Sequence, residues 1–204
     1  MFRKGFALDY IKYLRNFPFD GKFSDFAVVR RFYEVFTVIC EHFSKGVKLM
    51  IKYLLPDTGN FYKANLHCHS TFSDGKWTPE EIKEKYMRHG YSIVAFTDHR
   101  HLYSQSHLTD RGFLALDGYE IDVSETADTG RGYKKTCHFC LIAKNENTPH
   151  ADFGDEDTYT PENISRIMNE AREKGFFVTY NHPNWSLEDF SDYINYNGMD
   201  AMEI

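Results

Sequence analysis

The segment "NLHCHSTFSDG" (residues 65–75) concentrates side chains that bind metal ions. It contains His67 and His69, followed by Asp74 in a Ser-Asp-Gly turn. Imidazole is the commonest protein ligand for zinc, iron and manganese, and a nearby carboxylate suits the same ions. In a strand, residues i and i+2 face the same side, so the two histidines would point together and Cys68 away from them. The segment therefore indicates a metal site with Asp74 as a third ligand.

Four more residues of ligand type stand in or directly after predicted strands. They are His99 after "VAFTD", Glu120 in "LDGYEIDV", His138 in "CHFCLIAK" and His182 after "FVTYN". In parallel α/β folds the loops at the C-terminal ends of the strands meet at one rim, where functional groups collect. We therefore predict that these four side chains join the first two histidines in one cluster.

The elements that must carry these residues alternate between strand and helix. The predicted strands are "YKANLHCH", "YSIVAFT", "FLALDGYEIDV", "CHFCLIAK", "FFVTYN" and a final "AMEI". Thr78-Pro79-Glu80-Glu81 is a capping box that opens a helix ending near Gly90, and Thr160-Pro161-Glu162 opens another that stops at Gly175. A short helix is expected over residues 187–194. Repeated β and α elements of this length predict an α/β fold with a parallel sheet or barrel.

The first sixty residues follow a different pattern. From Ser24 to Leu54, apolar residues recur at helical spacing. This predicts one amphipathic helix over residues 24–55, whose apolar stripe docks against the following domain or forms a homo-oligomer with another subunit. We expect two parts, a helical segment with its linker over 1–60 and a second domain over 61–204.

Composition limits the partners and the compartment. The chain has 204 residues, a formal net charge of −6 and a pI near 5.9. An acidic chain has no general electrostatic reason to bind DNA or anionic lipid, so neither nucleic acid nor a membrane is favoured as a partner. Four cysteines are too few and too irregularly spaced for a disulfide framework, and no segment reads as a secretion signal or membrane span. We expect a cytoplasmic protein.

One competing motif is the C-x-x-C formed by Cys137 and Cys140. A zinc ribbon needs a second such pair, which the downstream sequence lacks. On a strand the two residues would also face opposite sides. This motif is therefore not expected to hold a structural zinc.

The order "HCHSTFSDG", "FTDH", "GYE", a strand histidine and "NHP" resembles the PHP superfamily, the polymerase and histidinol phosphatase domain, from about residue 63 to residue 204. The resemblance implies a distorted (β/α)7-type barrel with two or three divalent metal sites. The ligands that it implies are His67, His69 and a bridging Glu120 for one metal, Glu120, His138 and His182 for a second, and Asp74 and His99 for a third.

The C-terminal end departs from the family pattern. Similar members carry a late Asp-x-His motif, whereas no histidine follows His182 in this sequence. We therefore expect a truncated chain whose PHP-like barrel is incomplete at its C-terminus, with the third metal absent or weakly held. Asp200 and Glu203 are the carboxylates that could replace the missing ligands.

Mixed imidazole and carboxylate ligands suit Zn²⁺, Mn²⁺ or Fe²⁺. A pair of such ions activates a bridging water and clamps a phosphoryl group. His99, Arg100 and His101 are candidate catalytic residues, because they could neutralise phosphate or protonate a leaving group. Lys76 is a candidate for the same roles. The alternative for Arg100, His101 and Lys76 is that they lie in solvent-exposed loops and take no part in catalysis. Asp98 is a candidate to orient a ligand.

The sequence thus favours a metal-dependent hydrolase of phosphate esters, acting on a small phosphorylated metabolite or a nucleotide. A hydrolase of amides or carbamates would use the same activated water. A nuclease acting on nucleic-acid ends is a further alternative, although it predicts a basic path into the site. The last alternative is a metal-stabilised binding module with little catalytic activity.

Overall fold

The computed structural model describes residues 59–126 and 130–203. The helix predicted over residues 24–55 lies outside the described residues. The elements in chain order are β1 (Ala64–Asn65), α1 (Pro79–Arg88), β2 (Ile93–Phe96), β3 (Leu114–Ser124), β4 (Thr136–Ala143), α2 (Pro161–Glu173), β5 (Phe176–Tyr180), α3 (Phe190–Tyr193) and β6 (Ala201–Met202), with a short 3-10 helix at Ser106–Leu108. Within the described residues, no helix is long and apolar enough to cross a membrane.

The six strands form one mixed sheet in the order β1-β2-β3-β4-β5-β6. Strands β1, β2 and β3 are parallel, as are β5 and β6, but β4 is antiparallel to both of its neighbours. The expectation of a parallel sheet therefore holds for the other strands and is wrong for β4. A parallel neighbour needs a crossover of a dozen or more residues that usually contains a helix, and the chain between β3 and β4 is shorter than that. The result is an α/β fold with one curled, mixed sheet.

Both longer helices begin at the predicted caps. The Thr78 hydroxyl accepts a hydrogen bond from the Glu81 backbone N–H, and the Glu81 carboxylate accepts one from the Thr78 N–H. The Thr160 hydroxyl accepts from the Asn163 N–H at the start of α2. These bonds satisfy backbone donors that have no partner inside the helix. The capping predictions are confirmed, as is the placement of a proline in the first turn of each helix.

Strand β4 separates two apolar layers. Cys137 packs in the larger core with β3, β5 and the buried face of α2. Cys140 packs in the other layer, against residues of β2 and β3 such as Ala95 and Leu116. The two thiols therefore lie on opposite faces of the strand, which confirms that the C-x-x-C pair does not close on one ion.

Candidate metal centre

A single buried carboxylate lies at the middle of the site. Glu120, in β3, is 1% exposed. Its Oε1 lies 3.3 Å from His67 Nε2 and 3.4 Å from His182 Nε2. Its Oε2 lies 3.2 Å from His69 Nε2 and 3.4 Å from His99 Nδ1. The two oxygens thus face different pairs of histidines, which is the placement that a ligand shared by two ions requires.

The strand ends bring these histidines together. His67 and His69 lie in the loop after β1, which ends at Asn65, so the predicted longer strand "YKANLHCH" was wrong although the two Nε2 atoms are still 3.0 Å apart. His99 follows β2, and His182 follows β5 directly.

His138 reaches the same rim by the opposite route. It is near the N-terminal end of β4. Because β4 runs antiparallel to β3, it begins at the edge of the sheet where β3 ends. Its ring centroid lies 5.1 Å from that of His182 and 6.5 Å from that of His99. The structure therefore brings together all five histidines that were predicted as metal ligands.

Asp74 lies at the edge of this cluster. Its Oδ1 is 2.6 Å from His69 Nδ1 and its Oδ2 is 3.6 Å from His99 Nε2. The local motif grouped Asp74 with His67 and His69, and the family resemblance paired it with His99. The structure places it beside His69 and His99. The three residues can offer one ligand atom each within 4.8 Å of one another.

Asp98 and Gly75 fix the turn that carries Asp74. The buried Asp98 carboxylate accepts hydrogen bonds from the Ser70 N–H and from the hydroxyls of Ser70 and Ser73. A Cβ atom at Gly75 would lie 2.2 Å from the His69 carbonyl oxygen, so only glycine fits this close approach. Asp98 therefore orients the turn rather than an imidazole ring.

Two further residues join the cluster: Glu203, which the sequence offered as a replacement ligand, and Cys140, which it did not. Glu203, just after β6, places its Oε2 3.1 Å from His67 Nδ1, and it can form a group with His67 and His182. Cys140 can form a group with His67 and Glu120, because it lies directly opposite Glu120 in the β3–β4 ladder. The register between β3 and β4 would have indicated that Cys140 lies beside Glu120. The sequence does not show which strands pair, so this residue could not be predicted. Asp200, the other carboxylate considered, instead accepts from the Val178 N–H.

The sequence profile of the PHP domain matches residues 65–195. The chain belongs to the PHP domain family. Error-prone DNA polymerases of Mycobacterium bovis and Mycobacterium tuberculosis are each 35% identical to it over 88 residues, which is 40% of this chain and 8% of the polymerase. The chain thus spans less than a tenth of these relatives.

Two solved structures are similar over 71% of the chain. One is a two-domain protein of Bacteroides vulgatus containing a predicted PHP-like metal-dependent phosphoesterase, with 21% identity, 42% of that chain covered and a TM-score of 0.39. The other, from Bifidobacterium adolescentis, is proposed to be a metal-dependent phosphoesterase, with 16% identity, 77% covered and a TM-score of 0.46.

The donor set of this PHP domain fits divalent ions. Imidazole nitrogens and carboxylate oxygens converge here with a thiol at one side, which is chemistry suited to zinc, manganese or iron. Asn181 is fully buried beside them, and its Nδ2 donates to Glu120 Oε1 at 2.8 Å and to Cys140 Sγ at 3.0 Å. A fixed donor on one oxygen of the central carboxylate orients that carboxylate toward the histidines.

Carboxylates of the cluster hold protons on two of its histidines in the metal-free chain. Burial opposes charge on His67, but hydrogen bonds with Cys140, Glu120 and Glu203 raise its pKa to about 12. Burial likewise opposes charge on His69, and its carboxylate partners nevertheless raise its pKa. Burial favours the neutral acid at Glu120, yet hydrogen bonds from the histidines hold its pKa well below its usual range. An arriving cation would therefore replace protons held on His67 and His69.

His138 differs from these histidines. Burial lowers its pKa, and its Nδ1 lies 2.9 Å from the hydroxyl oxygen of Ser186. A neutral imidazole can bind a metal without first losing a proton. His138 is thus ready to act as a ligand at neutral pH.

The two residues after His99 contact side chains that are not among the predicted metal ligands. Arg100 Nε and Nη2 lie 2.9 Å from the two carboxylate oxygens of Asp122, and this ion pair raises the pKa of the guanidinium. The ring of His101 lies 4.7 Å from those of Tyr103 and His150. Arg100 is therefore held by Asp122, and a phosphate would have to compete for it. Lys76 is exposed to solvent.

Proposed function

We propose that this PHP domain is a metal-dependent hydrolase of phosphate esters. The observation that carries the proposal is the central carboxylate, whose Oε1 and Oε2 each face two imidazoles at 3.2–3.4 Å. This arrangement supports two neighbouring ions that share Glu120. Two-metal sites of this kind are used for displacement at phosphorus.

The residues divide between the two sides of Glu120. His67, His182 and Glu203 would hold an ion on the Oε1 side, while His69, Asp74 and His99 would hold one on the Oε2 side. Bound Zn²⁺, Mn²⁺ or Fe²⁺ supplies an activated water and positive charge for the phosphoryl oxygens. This division differs from the one implied by family resemblance, which placed His67 with His69.

The rim of the site favours a substrate with a planar group. Trp185 is 73% exposed, and its ring centroid lies 5.4 Å from those of His138 and His182. An exposed aromatic face beside the ligands can stack on a flat ring. Among small phosphorylated compounds, this supports a nucleotide as the substrate.

Hydrolysis at nucleic-acid ends is a second candidate. It is favoured by the 35% identity to DNA polymerases over 88 residues. The net charge of −6 and the pairing of Arg100 with Asp122 count against a basic path into the site. An amide or carbamate hydrolase remains an alternative because the activated water would be the same.

The test combines metal analysis with a substrate panel. The 204-residue chain is purified without chelators or a metal-affinity tag, and its metal content is measured. It is then assayed with Mn²⁺, Zn²⁺ or Fe²⁺ on nucleoside monophosphates, an alkyl phosphate, a phosphodiester, an oligonucleotide, a carboxylic ester and a carbamate. We expect the nucleoside monophosphate to be hydrolysed fastest, and Glu120→Gln to abolish the activity. A metal-loaded chain that cleaves none of these compounds would favour the binding module and refute the proposal.

A further inference from the structure

One serine hydroxyl lies between two histidines of the cluster. Ser186 Oγ is 2.9 Å from His138 Nδ1 and 3.3 Å from His182 Nδ1, and the residue is only 3% exposed. We propose that Ser186 is a positioning residue that holds His138 in the Nδ1–H tautomer and accepts from His182 Nδ1–H once an ion has replaced the proton that His182 Nε2 donates to Glu120. The inference rests on the proposed metal-binding function, because its effect is to leave both Nε2 lone pairs free for ions.

The geometry restricts the possible proton arrangements. A neutral imidazole carries one N–H and binds a metal through its other nitrogen. The hydroxyl has one proton, so it can donate to only one Nδ1, but its oxygen has two lone pairs and can accept from both. When it accepts from both, each Nε2 is unprotonated. His182 Nε2 faces the cluster, 3.4 Å from Glu120 Oε1, and in the metal-free chain it donates to that carboxylate. An ion that binds this nitrogen replaces that proton, and the proton on the ring then belongs on Nδ1.

The backbone around Ser186 is fixed, so the hydroxyl cannot easily move away. Its N–H donates to the His182 carbonyl at 3.1 Å, and its carbonyl accepts from the Thr136 N–H at the start of β4 at 3.1 Å. Two residues later, the buried Glu188 carboxylate accepts hydrogen bonds from three tyrosine hydroxyls, at 2.7 Å from Tyr180, 2.8 Å from Tyr159 and 2.5 Å from Tyr196.

Two other histidines also have a partner on Nδ1, in each case a carboxylate that the proposed function assigns to an ion as a ligand. His67 directs Nδ1 to Glu203 and Nε2 to Glu120. His69 directs Nδ1 to Asp74 and Nε2 to Glu120. Partners on the second nitrogen orient metal-binding imidazoles and strengthen their binding. Ser186 performs this role for two rings without adding negative charge.

The experiment reads the tautomers directly. Nitrogen NMR of the ¹⁵N-histidine-labelled, metal-free chain at mildly alkaline pH distinguishes Nδ1–H from Nε2–H. We expect Nδ1–H for His138, a mixture of tautomers for this ring in Ser186→Ala, and recovery in Ser186→Thr. The matched control is Ser92→Ala, since Ser92 is also 3% exposed but lies before β2, at the end of that strand away from the cluster.

Metal titration supplies the second measurement. Ser186→Ala should bind the ion on the His182 side about 10- to 100-fold more weakly, with Ser186→Thr near the native value. A native Nε2–H tautomer of His138, an unchanged Ser186→Ala variant, or a folded Ser186→Thr that behaves like alanine would each overturn the proposal. Circular dichroism establishes that the variants fold. The tautomer measurement needs neither metal nor substrate, so a failure to hydrolyse phosphate esters would refute only the proposed function.

Discussion

Replacing Glu120 with glutamine tests whether one carboxylate serves two ions. The amide keeps one oxygen, and Asn181 Nδ2, which donates to Oε1 at 2.8 Å, will hold that oxygen on the Oε1 side. The amide NH₂ group then takes the place of Oε2 and cannot bind a cation. The ion beside His69 and His99 thus loses a charged ligand outright. We expect its affinity to fall by at least about 100-fold, or about 2.7 kcal/mol.

The ion on the opposite side should weaken less. It exchanges a carboxylate oxygen for a neutral amide oxygen, for which we expect a loss of about 10-fold, or about 1.4 kcal/mol. Competition with a chromophoric chelator gives both affinities, and elemental analysis gives the stoichiometry. Asp117→Asn is the control, because it removes a carboxylate from the same strand whose partners are Ser104 and Gln105. If Glu120→Gln binds metal as the native chain does, or loses no more than His182→Ala, the shared ligand is refuted.

Three further outcomes are expected. Metal binding should tighten as pH rises and release about one to two protons, because the pKa of His67 is raised to about 12 and that of His69 is also raised. Calorimetry in buffers of different ionisation enthalpy measures the number of protons released. A binding heat that does not depend on the buffer would contradict this expectation. Gly75→Ala should destabilise the chain by about 2 kcal/mol or more in urea denaturation, since its Cβ would meet the His69 carbonyl at 2.2 Å. Tyr196→Phe removes one donor from the buried Glu188 and should lower the free energy of unfolding by about 1 kcal/mol in the same assay; an unchanged value would show that the bond contributes nothing.

The parts of the fold that follow from neighbouring residues could be predicted from the sequence. Thr78 and Thr160 cap their helices through bonds to residues three positions away, so the pattern of a few letters contains the whole interaction. The histidines and Glu120 could be named because residues that bind metals stand in or just after the predicted strands. Their convergence then followed from the general geometry of α/β folds.

The rest depends on contacts between distant positions. Glu203 meets His67 across 136 residues, and Ser186 meets His138 across 48. The direction of β4 could not be predicted either, because the sequence pattern of a strand does not show whether it runs parallel or antiparallel to its neighbours. The apolar stripe predicted over residues 24–55 stays a prediction, and so does its docking role.

The order of the strands in the sheet repeats their order along the chain. During synthesis, each new strand therefore emerges after the neighbour with which it pairs, so the sheet can grow by addition at one edge. His69, Asp74, His99 and Glu120 are all translated before β4 begins, whereas His182 and Glu203 come last. The Oε2 side of the centre is thus complete in sequence long before the Oε1 side.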